Sequence, residues 1–265
     1  MNLLDRLKLP HHKDLADLDA PQTTLRHREI IHQKYFLRNI YLDFYGQIQQ
    51  NLADLTPCNM VVELGSGGGF YKEVRPSVIA SDIMPLPHID INFSGIKRPF
   101  KNESLDALVM FDVLHHIPDA RSFFQESRRC LRPGGRMIMI EPANTLWSRF
   151  IYQYFHHETF DPQGDWSFPC HGPLSSANVA IPWILFSRDR QQFEQEFPEL
   201  KIKTFKNHTP FRYVLSGGLS YCQFLPSFLY SFVVICEQCL TPFNNLLGMF
   251  LTIVLEKQEE PLTHG

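Results

Sequence analysis

The sequence predicts an α/β fold, a doubly wound and mostly parallel sheet with helices on both faces. Three observations carry this. Short apolar runs at residues 60–64, 78–81, 105–111 and 136–140 have the length and unbroken apolar character of strands buried on both faces. A helical pattern, Phe123, Phe124, Ser127, Cys130 and Leu131, separates the last two. The first run stops on a glycine cluster, Gly65 to Gly69, and the second on Asp82. Turn and acid therefore fall at the carboxyl ends of strands, where open α/β sheets bind ligands.

The elements follow in order. Residues 23–55 read as one helix, with Ile30, Ile31, Phe36, Leu37, Ile40, Tyr41, Phe44, Tyr45 and Ile48 at roughly helical spacing and Pro57 past its end. Residues 1–57 thus form an N-terminal helical cap. Pro133, Gly134 and Gly135 stop the helix that precedes the fourth strand. Residues 145–155 make an aromatic-rich helix, and residues 156–182 a long irregular stretch of the kind that carries function. Ser187 caps a helix through Phe197; strands at 200–206 and 250–256 complete the pattern. With no internal repeat and no clear linker, residues 1–265 read as a single domain. Residues 58–142 form its ligand-binding half, and residues 143–265 a second half with an apolar insertion at about 213–249.

Composition narrows the class. Of 265 residues, 44% are hydrophobic and 20% charged, which argues for a globular chain and against disorder. A net charge of −3 gives no basic field for nucleic acid. Cys58, Cys130, Cys170, Cys222, Cys236 and Cys239 are too scattered for a disulfide framework, and residues 1–8 are charged without a following apolar run. The expectation is a reducing, cytoplasmic setting, with peripheral membrane contact left open. Cys236 and Cys239 form a CxxC without a second pair, so they read as two buried cysteines on one helix.

One region is unusual. From Tyr213 to Leu255 the sole charged side chain is Glu237, in a chain with 22 phenylalanines. Residues 224–236 are too few to span a bilayer. The insertion reads first as extra core packing, next as the wall or lid of an apolar pocket. Docking on a membrane comes third, because a Lys/Arg-rich polar face is missing.

The glycine loop decides among ligand classes. A dinucleotide fingerprint fails at Phe70, and no Lys-Ser or Lys-Thr follows to make a P-loop. The pattern present is E-x-G-x-G-x-G, with Glu63, Gly65, Gly67 and Gly69. It resembles motif I of the class I S-adenosylmethionine-dependent methyltransferases, of the type 11-like kind. Asp82 at the end of the second strand, residues 104–119 and residues 131–136 resemble that family's further motifs in the expected order.

The resemblance implies a Rossmann-like, seven-stranded, mostly parallel sheet, with S-adenosyl-L-methionine as cofactor. It places Gly65, Ser66, Gly67 and Gly69 at the methionine part of the cofactor. Glu63 orders the loop or reaches the cofactor amine through water. Asp82 meets the ribose, Ile83 and Met84 the adenine, and Asp112 or Val113 lies beneath the cofactor. Asp90, with Asn92 as substitute, takes the adenine amine.

Methyl transfer from a sulfonium is a displacement at carbon with a neutral leaving group. It demands alignment and dryness more than acid–base chemistry. A base is needed only where the acceptor must lose a proton. His115, His116 and Glu141 are the catalytic candidates. His156, His157, Glu158, Asp161, Cys170 and His171 read as the polar rim of the acceptor pocket, and no metal is expected. The acceptor is expected to be a small or lipid-like molecule, and the lack of an Asn-Pro-Pro-Tyr motif after the strand at 105–111 favours methylation at oxygen or carbon. The rival readings are a non-catalytic cofactor-binding scaffold and, disfavoured by Phe70, an NAD-dependent oxidoreductase.

Overall fold

The structure is a computed structural model that describes Leu9 and residues 17–156 and 158–259. Among the described residues two helices come first, α1 (Pro21–Gln33) and α2 (Tyr35–Leu52). Then follow β1 (Val61–Leu64), the single turn α3 (Tyr71–Val74), β2 (Ile79–Asp82), β3 (Ile91–Asn92) and β4 (Leu105–Phe111). Helix α4 (Ala120–Cys130) leads into β5 (Leu131–Pro142), α5 (Leu146–Phe155), α6 (Ile181–Trp183) and α7 (Arg190–Glu196). The chain ends with β6 (Leu200–His208), α8 (Arg212–Ser216), α9 (Tyr230–Cys239), α10 (Asn244–Leu247) and β7 (Phe250–Lys257).

Among the described residues seven strands form one sheet, in the order β3-β2-β1-β4-β5-β7-β6. The first five are parallel, and β7 runs antiparallel to both β5 and β6. The α/β class and the seven-stranded, mostly parallel sheet are as expected. Strand order reverses between β1 and β4, which opens a crevice at their carboxyl ends.

Alternation along β4 divides the core. Leu108 and Met110 face one way, onto Phe123 and Phe124 of α4 and Phe193 of α7. Ala107 and Val109 face the other way, onto Phe36, Ile40, Phe44 and Ile48 of α2. The N-terminal cap thus covers one face of the sheet.

Three expectations need correction. The helix expected over 23–55 is broken at Lys34, which is extended (φ −88°, ψ 110°). Its Nζ donates to the carbonyls of Gly218 and Tyr221 (2.7 Å to the latter), and Gln223 Oε1 accepts from Phe36 N at 2.9 Å. Polar groups from the insertion here replace helical hydrogen bonds. Ser187 caps nothing: it is exposed within a π-helical turn at Ile184–Arg188, and Asp189 precedes α7, its carboxylate held by Trp166 Nε1 at 2.8 Å. Cys236 is only half-buried and Cys239 is exposed.

The insertion packs against the cap's side of the core through Tyr213, Val214, Leu215, Leu219, Leu225, Tyr230, Val233 and Val234. On α9 only Tyr230, Val233 and Glu237 are buried. Phe228, Phe232 and Ile235 are 81%, 63% and 57% exposed, so extra core packing accounts for a minority of its apolar side chains. Glu237 turns inward. Its Oε1 accepts from the amides of Phe211 and Arg212, both at 2.7 Å, and its Oε2 pairs with the Arg212 guanidinium. No helix among the described residues is long and apolar enough to cross a membrane.

Candidate active site

The site grows out of the turn after β1. Gly65 has φ +65°, and a Cβ there would lie 2.5 Å from Val113 Cγ2, so only glycine lets the loop pass the turn that follows β4. The next residues are pinned by side chains from the sheet. Gly67 N donates to Asp82 Oδ2 at 2.9 Å, and Met84 N to Asp82 Oδ1 at 2.8 Å. Ser66 Oγ donates to Glu63 Oε2 at 2.6 Å. Glu63 is buried beneath the loop, and that burial pushes its carboxyl up to about 7.

The cap closes over this loop. A Cβ on Gly68 would come within 3.3 Å of Ile31 Cδ1 and 3.4 Å of Arg28 N, both on α1. The Arg28 guanidinium binds the Gly69 carbonyl and Glu73. Phe70 N donates to Tyr45 Oη of α2 at 2.8 Å.

Loop and cap enclose a cavity of about 600 Å³. Glu63, Gly65, Gly67, Gly69, Asp82, Ile83, Met84, Asp112, Val113 and His116 all line it. Ser66, Asp90, His115 and Glu141 do not. Asp90 is instead tied to Lys72 and accepts from Ala80 N at 2.8 Å. Asn92 donates to the Met84 carbonyl at 2.5 Å, so neither residue faces the cavity. The segment Phe93–Gly95 forms the wall there.

The far end is a polar corner built on the turn after β4. Asp112 stands at φ +61° and lines the cavity. Glu141, fully buried at the end of β5, holds the turn from behind. Its Oε1 accepts from Val113 N at 2.9 Å and Leu114 N at 2.8 Å, and its Oε2 from His115 Nδ1 at 2.9 Å. Burial opposes a charge on His115, but the bonds to Glu141 and Glu158 raise its pKa well above the ordinary range. His116 goes the other way: burial, with His115 beside it, pushes it down to about 4.

Glu158, from the irregular stretch after α5, completes the corner. Burial again opposes its charge, yet the His115 contact holds its carboxyl well below the usual range. Of the expected polar rim, Glu158, Cys170 and His171 line the cavity; Asp161 is hydrogen-bonded to Asn178 at 3.0 Å; His157 lies outside the described residues. Thr24, His27, Ile31 and Tyr41 of the cap, with Leu219 and Ser220 of the insertion, also line the cavity. Nothing local in the sequence marks these six, because tertiary packing alone brings them to the site.

Comparison with known proteins agrees with this geometry. The family profile of a methyltransferase domain matches residues 62–139, which run from β1 into β5. Residues 62–139 thus carry a methyltransferase domain of the class I S-adenosylmethionine-dependent kind. Among its relatives, an uncharacterised 37.1 kDa protein of a Streptomyces fradiae transposon is 30% identical over 130 residues, 42% of this chain and 37% of that one. The chain thus spans little more than a third of that relative's length. The demethylmenaquinone methyltransferase of Symbiobacterium thermophilum is 25% identical over 215 residues, 77% of this chain and 82% of that one. In fold it is similar to an S-adenosylmethionine-dependent methyltransferase of Thermotoga maritima, with a TM-score of 0.52, 14% identity, and coverage of 89% of this chain and 99% of that one.

The cofactor of such a domain is S-adenosyl-L-methionine, and the cavity fits it. Four acids, Glu63, Asp82, Asp112 and Glu158, line the cavity, and no Lys or Arg does among the described residues. Such walls suit a ligand with sulfonium and ammonium charges. The glycines keep the loop free of side chains where the ligand must approach the main chain, and Asp82 stands at a strand end within the cavity.

Proposed function

We propose that this methyltransferase modifies a small or lipid-like acceptor without acidic groups, at an oxygen or a carbon atom. The observation that carries this reading is the absence of Lys and Arg among the described cavity residues, beside four acids. A phosphate or carboxylate on the acceptor would meet like charge there.

When bound, S-adenosylmethionine supplies an electrophilic methyl group on a sulfonium. The chain's residues do the rest by positioning. The glycine loop, Glu63 and Asp82 would hold the cofactor. Tyr41, Phe111 and Ile117 make apolar walls that exclude water. Asp112, His116 and Glu158 would take the polar end of the acceptor, while His115 and Glu141 act from behind as positioning residues. The exposed Phe228, Phe232 and Ile235 of the insertion support contact with an apolar surface, as a lipid-like acceptor would require.

The test is transfer of a radiolabelled methyl group into neutral, cationic and anionic fractions of a metabolite and lipid extract. Label confined to anionic acceptors would overturn the proposal. Calorimetric heat with NAD alone would overturn the cofactor assignment, and cofactor binding without any transfer would favour the scaffold reading.

A further inference from the structure

We propose that His115, His116 and Glu158 form a binding site for one divalent first-row transition ion at the polar corner of the cavity. His115 Nε2 lies 3.5 Å from Glu158 Oε2, and His116 Nε2 lies 3.6 Å from Glu158 Oε1. All three ligand atoms fall within 4.8 Å of one another. Two nitrogen or oxygen ligands on one tetrahedral ion, each about 2.0–2.1 Å from it, stand roughly 3.4 Å apart. The spacing therefore leaves room for an ion with little rearrangement.

The orientation of the two rings is the stronger argument. Adjacent histidines ordinarily diverge. Here they sit on the 3₁₀ turn Leu114–His116, with ring centres 4.3 Å apart, and each ring is anchored through its Nδ1. His116 Nδ1 meets the Ser176 carbonyl at 3.0 Å, and a carbonyl only accepts, so Nδ1 carries the proton. His115 Nδ1 meets the Glu141 carboxylate at 2.9 Å. Metal-bound histidines typically give their second nitrogen to a carboxylate or a backbone carbonyl in this way. Both Nε2 atoms converge on Glu158, and an ion bound there would displace the proton that His115 Nε2 shares with that carboxylate.

Two imidazoles and one carboxylate suit zinc, manganese or iron(II), and suit magnesium or calcium poorly, since those prefer all-oxygen sets. His116 and Glu158 line the cavity, so the open side of an ion faces it. An acceptor oxygen could enter as a further ligand. That use rests on the proposed methyl transfer; the ion site itself does not.

The test uses the full chain, freed of metal with a chelator and titrated with Zn²⁺, Mn²⁺ or Co²⁺ alone. One ion per chain is expected, with visible absorption for Co²⁺. Glu158→Gln and His116→Asn should each weaken uptake tenfold or more, while a native circular dichroism spectrum and an unchanged urea midpoint, measured on the same samples, certify their folding. No uptake by the parent chain overturns the site, as does uptake unchanged in both variants. Ion uptake without cofactor binding would sink the methyl-transfer reading and leave the ion site standing. Cofactor binding without ion uptake would do the reverse.

Discussion

The backbone amide of Gly67 is held by the carboxylate of Asp82, 2.9 Å away. One side chain at the end of β2 thus fixes the loop at the end of β1, and a Cβ on Gly67 would lie 3.3 Å from the same oxygen. Asp82→Ala removes the anchor of the loop and, on the proposed cofactor pose, the acceptor for ribose hydroxyls. Its cofactor affinity should fall by about 1–3 kcal/mol, the scale of hydrogen bonds to a charged group. Calorimetric titration with S-adenosylmethionine checks this.

Gly65→Ala tests the loop from its other side. The new methyl meets Val113 Cγ2 at 2.5 Å on a backbone with φ +65°. Cofactor binding should be lost while far-ultraviolet circular dichroism stays native, because the clash is confined to two turns. Gly65→Ala with Val113→Ala should recover part of the binding; no recovery would locate the defect in the backbone conformation.

Glu63 should leave a signature in stability against pH. Burial pushes its carboxyl up to about 7 from an ordinary value near 4.5, with Ser66 and Arg28 working against the shift and Asp82 adding to it. The folded state therefore holds the proton more tightly than the unfolded state. Its contribution is fully present below about pH 4.5 and is lost as pH rises through 7. The loss is on the order of 3 kcal/mol. Urea midpoints of wild type and Glu63→Gln should diverge across that window, with wild type losing ground as pH rises; parallel curves would contradict the assignment.

Glu237 is the internal tie of the insertion. Glu237 and Arg212 are both largely buried, and the Arg212 guanidinium also pairs with Asp43. Glu237→Gln keeps an acceptor for the two amides and leaves Arg212 its second carboxylate, so it should cost about 1.5–3 kcal/mol in urea unfolding. Glu237→Met should cost more than Glu237→Gln, because the amides of Phe211 and Arg212 then lose their acceptor.

The sheet was legible because buried parallel strands read as bare apolar runs, and because β1 and β2 end in a glycine cluster and an acid that mark the turns at their carboxyl ends. Gly65, Gly67 and Asp82 could be read in this way, since their chemistry is local. Lys34 could not: the groups that break the helix there come from residues 218–223, remote in sequence. Glu158 was visible only as a member of a polar stretch. Its place opposite His115 depends on the path of a long irregular loop, which has no periodicity to follow. Asp90 shows the converse, an acid at a plausible position whose charge is spent on Lys72.

The inward turn of Glu237 leaves the outer surface of the insertion without an ionic group between Tyr213 and Leu255. Buffer pH therefore has no lever on that face, and added salt has no charge there to screen. Adhesion through Phe228, Phe232 and Phe243 should instead strengthen in kosmotropic salt and weaken in the cold, as apolar contact does. Sulfate-rich solutions are where this protein should first meet its concentration limit.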